Sequence, residues 1–131
     1  MVLYRLGLTY YAYQKYKKSV TTFKQALNNK PYAAFEADIY YHIGLGYARV
    51  EKFEKSIYPF TACVERIPDD IRFTHERAKA YQMIEMHDKA VEDFNVVIQR
   101  NPKNAHAHFR RAFSLKSLKV SYTRCLLIGL E

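Results

Sequence analysis

Apolar residues along most of this chain fall at three- and four-residue steps, the spacing of one buried face on an α-helix. The stretch from 39 to 67 shows the pattern best. IYYHIGLGYARV (39–50) is apolar-rich at helical spacing, VEKF (50–53) carries a turn, and EKSIYPFTACVERI (54–67) returns to helical steps before stopping at Pro68. The pattern predicts a helical hairpin. A hairpin this size cannot bury both faces alone, so neighbouring hairpins must stack to make a continuous core.

The hairpin recurs. Pro31, Pro68 and Pro102 are separated by 37 and then 34 residues, and the same two intervals relate Phe23, Phe60 and Phe94. They also relate Ser19, Ser56 and Ala90, the tyrosines Tyr10, Tyr47 and Tyr81, and the series Gly7, Gly44 and Ala78, from which one more step of 34 reaches Ala112. Agreement across five columns gives three full units and part of a fourth. The expected organisation is a single domain, 1–131, with repeats at about 1–33, 37–70 and 71–104 and a partial one at 105–131. The pair in Gly44-Leu45-Gly46 therefore does not open a phosphate loop: a dinucleotide fingerprint needs a third glycine at 49, where Arg stands. Gly44 is instead the small residue that lets two helices of a hairpin approach, and Gly46 aligns with small residues Thr9, Ala80 and Ser114.

These columns resemble the tetratricopeptide repeat (TPR) family. Its large/Leu/Gly/Tyr pattern on the first helix is similar to Leu3, Leu6, Gly7, Tyr10 and to Tyr40, Ile43, Gly44, Tyr47. Its Ala/Phe/Ala/Pro pattern on the second is similar to Ser19, Phe23, Ala26, Pro31, then Ser56, Phe60, Cys63, Pro68, then Ala90, Phe94, Val97, Pro102, with Tyr16, Phe53 and His87 opening those helices. The resemblance implies an all-α fold, a right-handed α-solenoid of TPR hairpins. It also implies a non-enzymatic protein–protein interaction scaffold that binds an extended or helical peptide in a concave groove lined by first helices.

Departures from the pattern carry expectations of their own. Three extra residues near YAAFEAD, close to one helical turn of ~3.6 residues, predict that the second unit's first helix starts a turn early. Arg77 and Arg111 take the leucine slot of units three and four, where the guanidinium is expected to stay wet and the packing to loosen. Pro59 inside a second helix predicts a local kink at 55–59. After KSLK the fourth unit stops matching: Ser121 and Arg124 stand where an aromatic and a small residue are needed, and only Ile128 fits. VSYTRCLLIGLE is expected to form a helical cap, and both ends look cut from a longer array.

Charge narrows the partner classes. The chain holds 21 Lys and Arg against 13 Asp and Glu, a net +8. Residues 1–35 hold six basic groups and no acid, and residues 103–131 hold six against Glu131 alone, leaving nine basic and twelve acidic residues between. Nucleic-acid binding through the basic ends is the alternative reading, but an acidic centre splits the charge and no aromatic platform alternates with it. No run approaches the ~18 apolar residues of a membrane span, and no signal peptide is recognisable, so a soluble intracellular protein is expected, cytoplasmic by default with the nucleus left open. Cys63 and Cys125 form neither a disulfide framework nor a zinc pattern.

No compact nucleophile, base and acid set suggests catalysis, so no enzyme and no cofactor is expected. His106 and His108, two apart, fall on different helix faces and do not make a metal pair. Asp69 and Asp70 sit where a helix begins and are read as N-terminal caps.

By the repeat spacing the groove should present Tyr4, Leu8 and Tyr11, then Asp38, Tyr41, Leu45 and Arg49, then Arg72, His75, Lys79 and Gln82, then His106, Phe109 and Arg110. That surface suits a peptide with hydrophobic anchors and acidic groups. One subset of the resembled family grips chaperone C-terminal carboxylates with Lys and Asn. Here those slots hold Tyr4 and Leu8, or Tyr41 and Leu45 one unit on, with only Arg110 fitting and His106 in place of Lys, so a chaperone-tail clamp is not expected. Self-association through the chain ends, with CLLIGL (125–130) docking on another copy, is a third reading.

Overall fold

The computed structural model describes residues 1–127, which form seven α-helices and, among the described residues, no strand. They are α1 (Val2–Ala12), α2 (Tyr16–Asn28), α3 (Ala33–Arg49), α4 (Phe53–Arg66), α5 (Ile71–Met83), α6 (His87–Arg100) and α7 (Ala105–Leu127). Each packs chiefly on its neighbours in sequence, with α1 also touching α3 and α5 touching α7. That pattern, dominated by sequence neighbours, is an all-α solenoid of helical hairpins.

The repeat columns are the contact points. Phe23, Phe60 and Phe94 are fully buried, each lying across the small residue of its own hairpin. A Cβ on Gly7 or Gly44 would stand 2.7 or 2.5 Å from the facing ring, so a side chain at either position would have to displace that ring. Gly46 is required for another reason. Its added Cβ would meet Val20 of α2 at 2.6 Å, so Gly44 admits α4 while Gly46 admits α2. Ser19 fixes the first hairpin by donating its hydroxyl to the Gly7 carbonyl (2.9 Å).

Each hairpin turns the same way. Gln14, Glu51 and Glu85 hold φ of 62°, 61° and 62°, and the following amides of Lys15, Lys52 and Met86 donate back to the carbonyls of Tyr10, Tyr47 and Tyr81 at 2.8–2.9 Å. These bonds satisfy the carbonyls orphaned at the helix end, in the arrangement glycine usually provides. Lys119 occupies the corresponding place in α7, and there the helix continues to Leu127. VSYTRCLL is therefore helical, but residues 118–127 are exposed and do not cap the core; Ile128 lies outside the described residues.

The early start of α3 is present: it spans 17 residues against 11 and 13 for α1 and α5. Asp70 caps α5, accepting from the Arg72 amide at 3.0 Å, whereas Asp69 pairs with Arg100 instead (3.1 Å). α4 runs as one helix through the buried Pro59. The leucine slot of the third hairpin differs from expectation. Arg77 is drawn in, with Nε and Nη2 each 2.8 Å from the Asp93 carboxylate, which is itself buried. A charge-assisted pair replaces the wet guanidinium, because Asp93 sits on the facing helix.

Candidate partner-binding groove

The first helices α1, α3, α5 and α7 line one side of the solenoid. At its N-terminal end the expected groove residues bind one another. The Tyr4 hydroxyl donates to the Asp38 carboxylate and its ring packs on Phe23 and Phe35; burial, then the Asp38 bond, pushes its pKa up to about 12. Leu8 packs against the core around Phe23. Arg49 donates from Nε to the Tyr11 hydroxyl at 3.2 Å, and that bond strengthens its hold on the proton.

In the middle, Tyr41 lies between Phe60 and Phe73, and burial raises its pKa. The Arg72 guanidinium stacks 5.5 Å from the Tyr41 ring while making a two-pronged pair with Asp70, which holds the Asp70 carboxyl below its usual value. Between α3 and α5 opens a recess of about 390 Å³, lined by Leu45, Ala48, Arg49, Phe53, Glu76, Lys79, Ala80, Met83 and Arg110. Five of these residues are apolar. The others are three cations and one carboxylate, Glu76, which pairs with Lys79 at 2.9 Å.

A second recess of about 490 Å³ lies toward α7, between Gln82, Met83, Glu85, His87, His106, Phe109, Arg110, Phe113 and Ser117. Arg110 borders both recesses. Its Nη1 donates to Gln82 Oε1 (2.9 Å), while its Nε is buried and has no partner. Gln82 is buried and also donates to the Arg110 carbonyl and the Ser114 hydroxyl, so it acts inside the α5–α7 contact. His75 stands against Phe94 and His106, with Nε2 buried and unpaired; burial, then the charge of Lys79, lowers its pKa. Phe109 is 73% exposed.

The structure thus brings Leu45, Arg49, Lys79 and Arg110 to one recess and His106, Phe109 and Arg110 to the next, while Tyr4, Asp38 and Arg72 are held by partners within the chain. Sequence reasoning missed Glu76, Met83 and Phe113. The signal was present: Met83 shares the repeat column of Arg49, Glu76 that of Arg110, and Phe113 that of Leu45 and Lys79. Among the described residues no cluster of His, Cys, Asp or Glu is arranged to hold a metal ion, and no helix is long and apolar enough to cross a membrane.

A family model described as tetratricopeptide repeat matches residues 1–31 and 76–104. No curated protein sequence matches the chain. Among solved structures, the first TPR of Spaghetti (RPAP3) bound to the HSP90 peptide SRMEEVD is similar with a TM-score of 0.80 at 18% identity, over 90% of this chain and 91% of that one. The Arabidopsis OM64 TPR domain is similar with a TM-score of 0.76 at 16% identity, over 88% and 93%. YrrB, a TPR protein with an unusual peptide-binding site, gives 0.83 at 20% identity over 89% of this chain and 59% of that one. At such identities the likeness is one of fold. The repeat model matched in the first and third hairpins, the stacked hairpins throughout, and a phenylalanine lying on a small residue at each repeat column together give the chain the fold of the tetratricopeptide repeat proteins it resembles.

Proposed function

We propose that this chain is a non-catalytic protein–protein interaction scaffold that holds a partner segment in the groove of α1, α3, α5 and α7, as one domain divided into repeats at about 1–33, 37–70 and 71–104 with a partial repeat from 105. The observation that carries this reading is the recess between α3 and α5. Leu45 and Met83 offer an apolar seat, and Arg49, Lys79 and Arg110 surround it with more positive charge than Glu76 balances. A hydrophobic anchor flanked by an acidic residue fits that chemistry, since aromatic or aliphatic anchors supply burial and charge-assisted bonds fix orientation.

The same geometry argues against a chaperone-tail clamp. Tyr4 is committed to Asp38 and Leu8 to the core, so these two positions offer no cation or amide to a terminal carboxylate. The HSP90 peptide belongs to the neighbour that binds it. A random peptide library displayed on phage and selected on the purified protein tests the reading. Selected sequences should share an acidic residue next to a Leu, Met or aromatic, and enrichment should vanish on the Arg49→Glu/Lys79→Glu variant with circular dichroism unchanged. A consensus without acidic residues, or equal enrichment on the variant, overturns it.

A further inference from the structure

In the first three hairpins every first helix is covered by its second, and α7 shows the same covering face with nothing described upon it. Ala78 is fully buried beneath Phe94, yet its counterpart Ala112 is exposed. Along the helix the open face continues at steps of three and four through Leu115, Leu118, Tyr122 and Leu126, which are 47%, 37%, 67% and 51% exposed. Phe109 and Phe113, which line the groove recess, fall on another side of α7. The face stays open because α7 passes straight through the place where α1, α3 and α5 turn.

The third hairpin states what would cover it. Arg77 reaches back toward Thr61 of the preceding second helix (3.5 Å) and forward to Asp93 of its own (2.8 Å). Arg111 repeats the backward contact, donating to Asn95 at 2.9 Å, and among the described residues it has no carboxylate partner. Sixteen residues after Arg111, where Asp93 follows Arg77, stands Leu127, still within α7. Residues 103–127 hold six basic groups and no acid, so a second copy presenting this end, or the basic first unit, would meet like charge.

We propose that this face of α7 docks an acidic amphipathic helix supplied by a partner protein, which completes the fourth hairpin in trans. Its recognition element is a carboxylate residue followed directly by an aromatic, as in Asp93-Phe94: the aromatic seats on Ala112 and the carboxylate pairs with Arg111. The remaining apolar residues of the helix lie along Leu115, Leu118 and Tyr122. This surface is separate from the groove, so the two bind independently.

The probe is a fluorescent, hydrocarbon-stapled peptide of residues 87–100, which carries Asp93-Phe94, the staple being on its solvent face. Titrated against the full chain it should bind saturably, with amide NMR shift changes centred on Ala112, Leu115 and Leu118. Phe94→Ala in the peptide should weaken binding at least about thirtyfold and Asp93→Asn about tenfold. Arg111→Gln in the protein should cost the same tenfold with the parent peptide and nothing further with the Asp93→Asn peptide. Ala112→Leu, at an exposed position that leaves the fold intact, should block docking, whereas the Arg49→Glu/Lys79→Glu groove variant should bind normally. Absence of binding at millimolar peptide, shifts confined to the groove, indifference to Arg111→Gln and Ala112→Leu, or a dimer in sedimentation that buries this face would each overturn the proposal.

Discussion

The first two hairpins and the third solve one packing problem differently. In α1/α2 and α3/α4 the crossing point is a glycine under a phenylalanine ring, beside an aliphatic residue, Leu6 or Ile43. In α5/α6 the glycine becomes Ala78 and the aliphatic residue becomes Arg77, paired with Asp93. The phenylalanine is fully buried in all three. The ring is therefore the constant, and what lies around it adapts: the first two hairpins gain contact from closeness, the third from a shielded ion pair. A hairpin held by closeness is sensitive to an added atom, whereas one held by charge is sensitive to an unpaired partner.

That contrast can be broken at its most charged point first. Asp93→Ala leaves Arg77 without its carboxylate in a largely buried site and should lose about 3 kcal/mol in urea unfolding. Replacing both, Arg77→Leu with Asp93→Leu, should recover to within about 1 kcal/mol of the parent, because an apolar pair of similar volume avoids the desolvation cost. A double variant as weak as the single one would show that the third hairpin needs charge as such. Next in size, Gly44→Ala should cost about 2 kcal/mol net, since the clash with the immobile Phe60 outweighs the ~1 kcal/mol that alanine gains in a helix. The reverse change in the third hairpin, Ala78→Gly, should cost only about 1 kcal/mol. Equal costs for the two would erase the distinction.

The smallest effect sharpens the boundary between hairpin and groove. His75 has a lowered pKa, set by burial and Lys79, with Glu76, His106 and Arg110 also facing it. The folded chain therefore takes up this proton less readily than the unfolded one. Its contribution is complete above the ordinary histidine value of 6.5 and declines as pH falls below it. Stability curves of the parent and His75→Gln should diverge below that pH, the variant falling less steeply; parallel curves would place His75 in contact with solvent.

Much of the fold was legible because each repeat column repeats a physical requirement. Gly7, Gly44, Phe23, Phe60 and Phe94 announce helix crossings, and the extra residues before Asp38 announce the longer α3. The Arg77–Asp93 pair was not legible. Asp93 shares its column with Thr22 and Pro59, so no repeated chemistry marked it as a partner, and arginine in a leucine slot suggested solvent. For the candidate groove, column spacing says which residues share a helix face but not which of them bind one another. Sequence spacing placed Tyr4 and Asp38 on one surface without showing that they bind each other; it likewise placed Gln82 beside Arg110 without showing that the amide is consumed there. Met83 and Glu76 escaped because their columns were read in one unit and not the next.

One consequence of the glycines in α3 concerns the shape of the whole solenoid. Gly44 and Gly46 lie about 200° apart around the helix, so α3 is thinned on opposite flanks, toward α4 and toward α2. At the corresponding positions α5 carries Ala78 and Ala80, both buried, and is one methyl wider on each flank. Superhelical curvature is the sum of such spacings from one repeat to the next. The coil should therefore be wound more tightly around α3 than around α5, and two methyl groups placed in α3 would open the superhelix without altering a single groove residue.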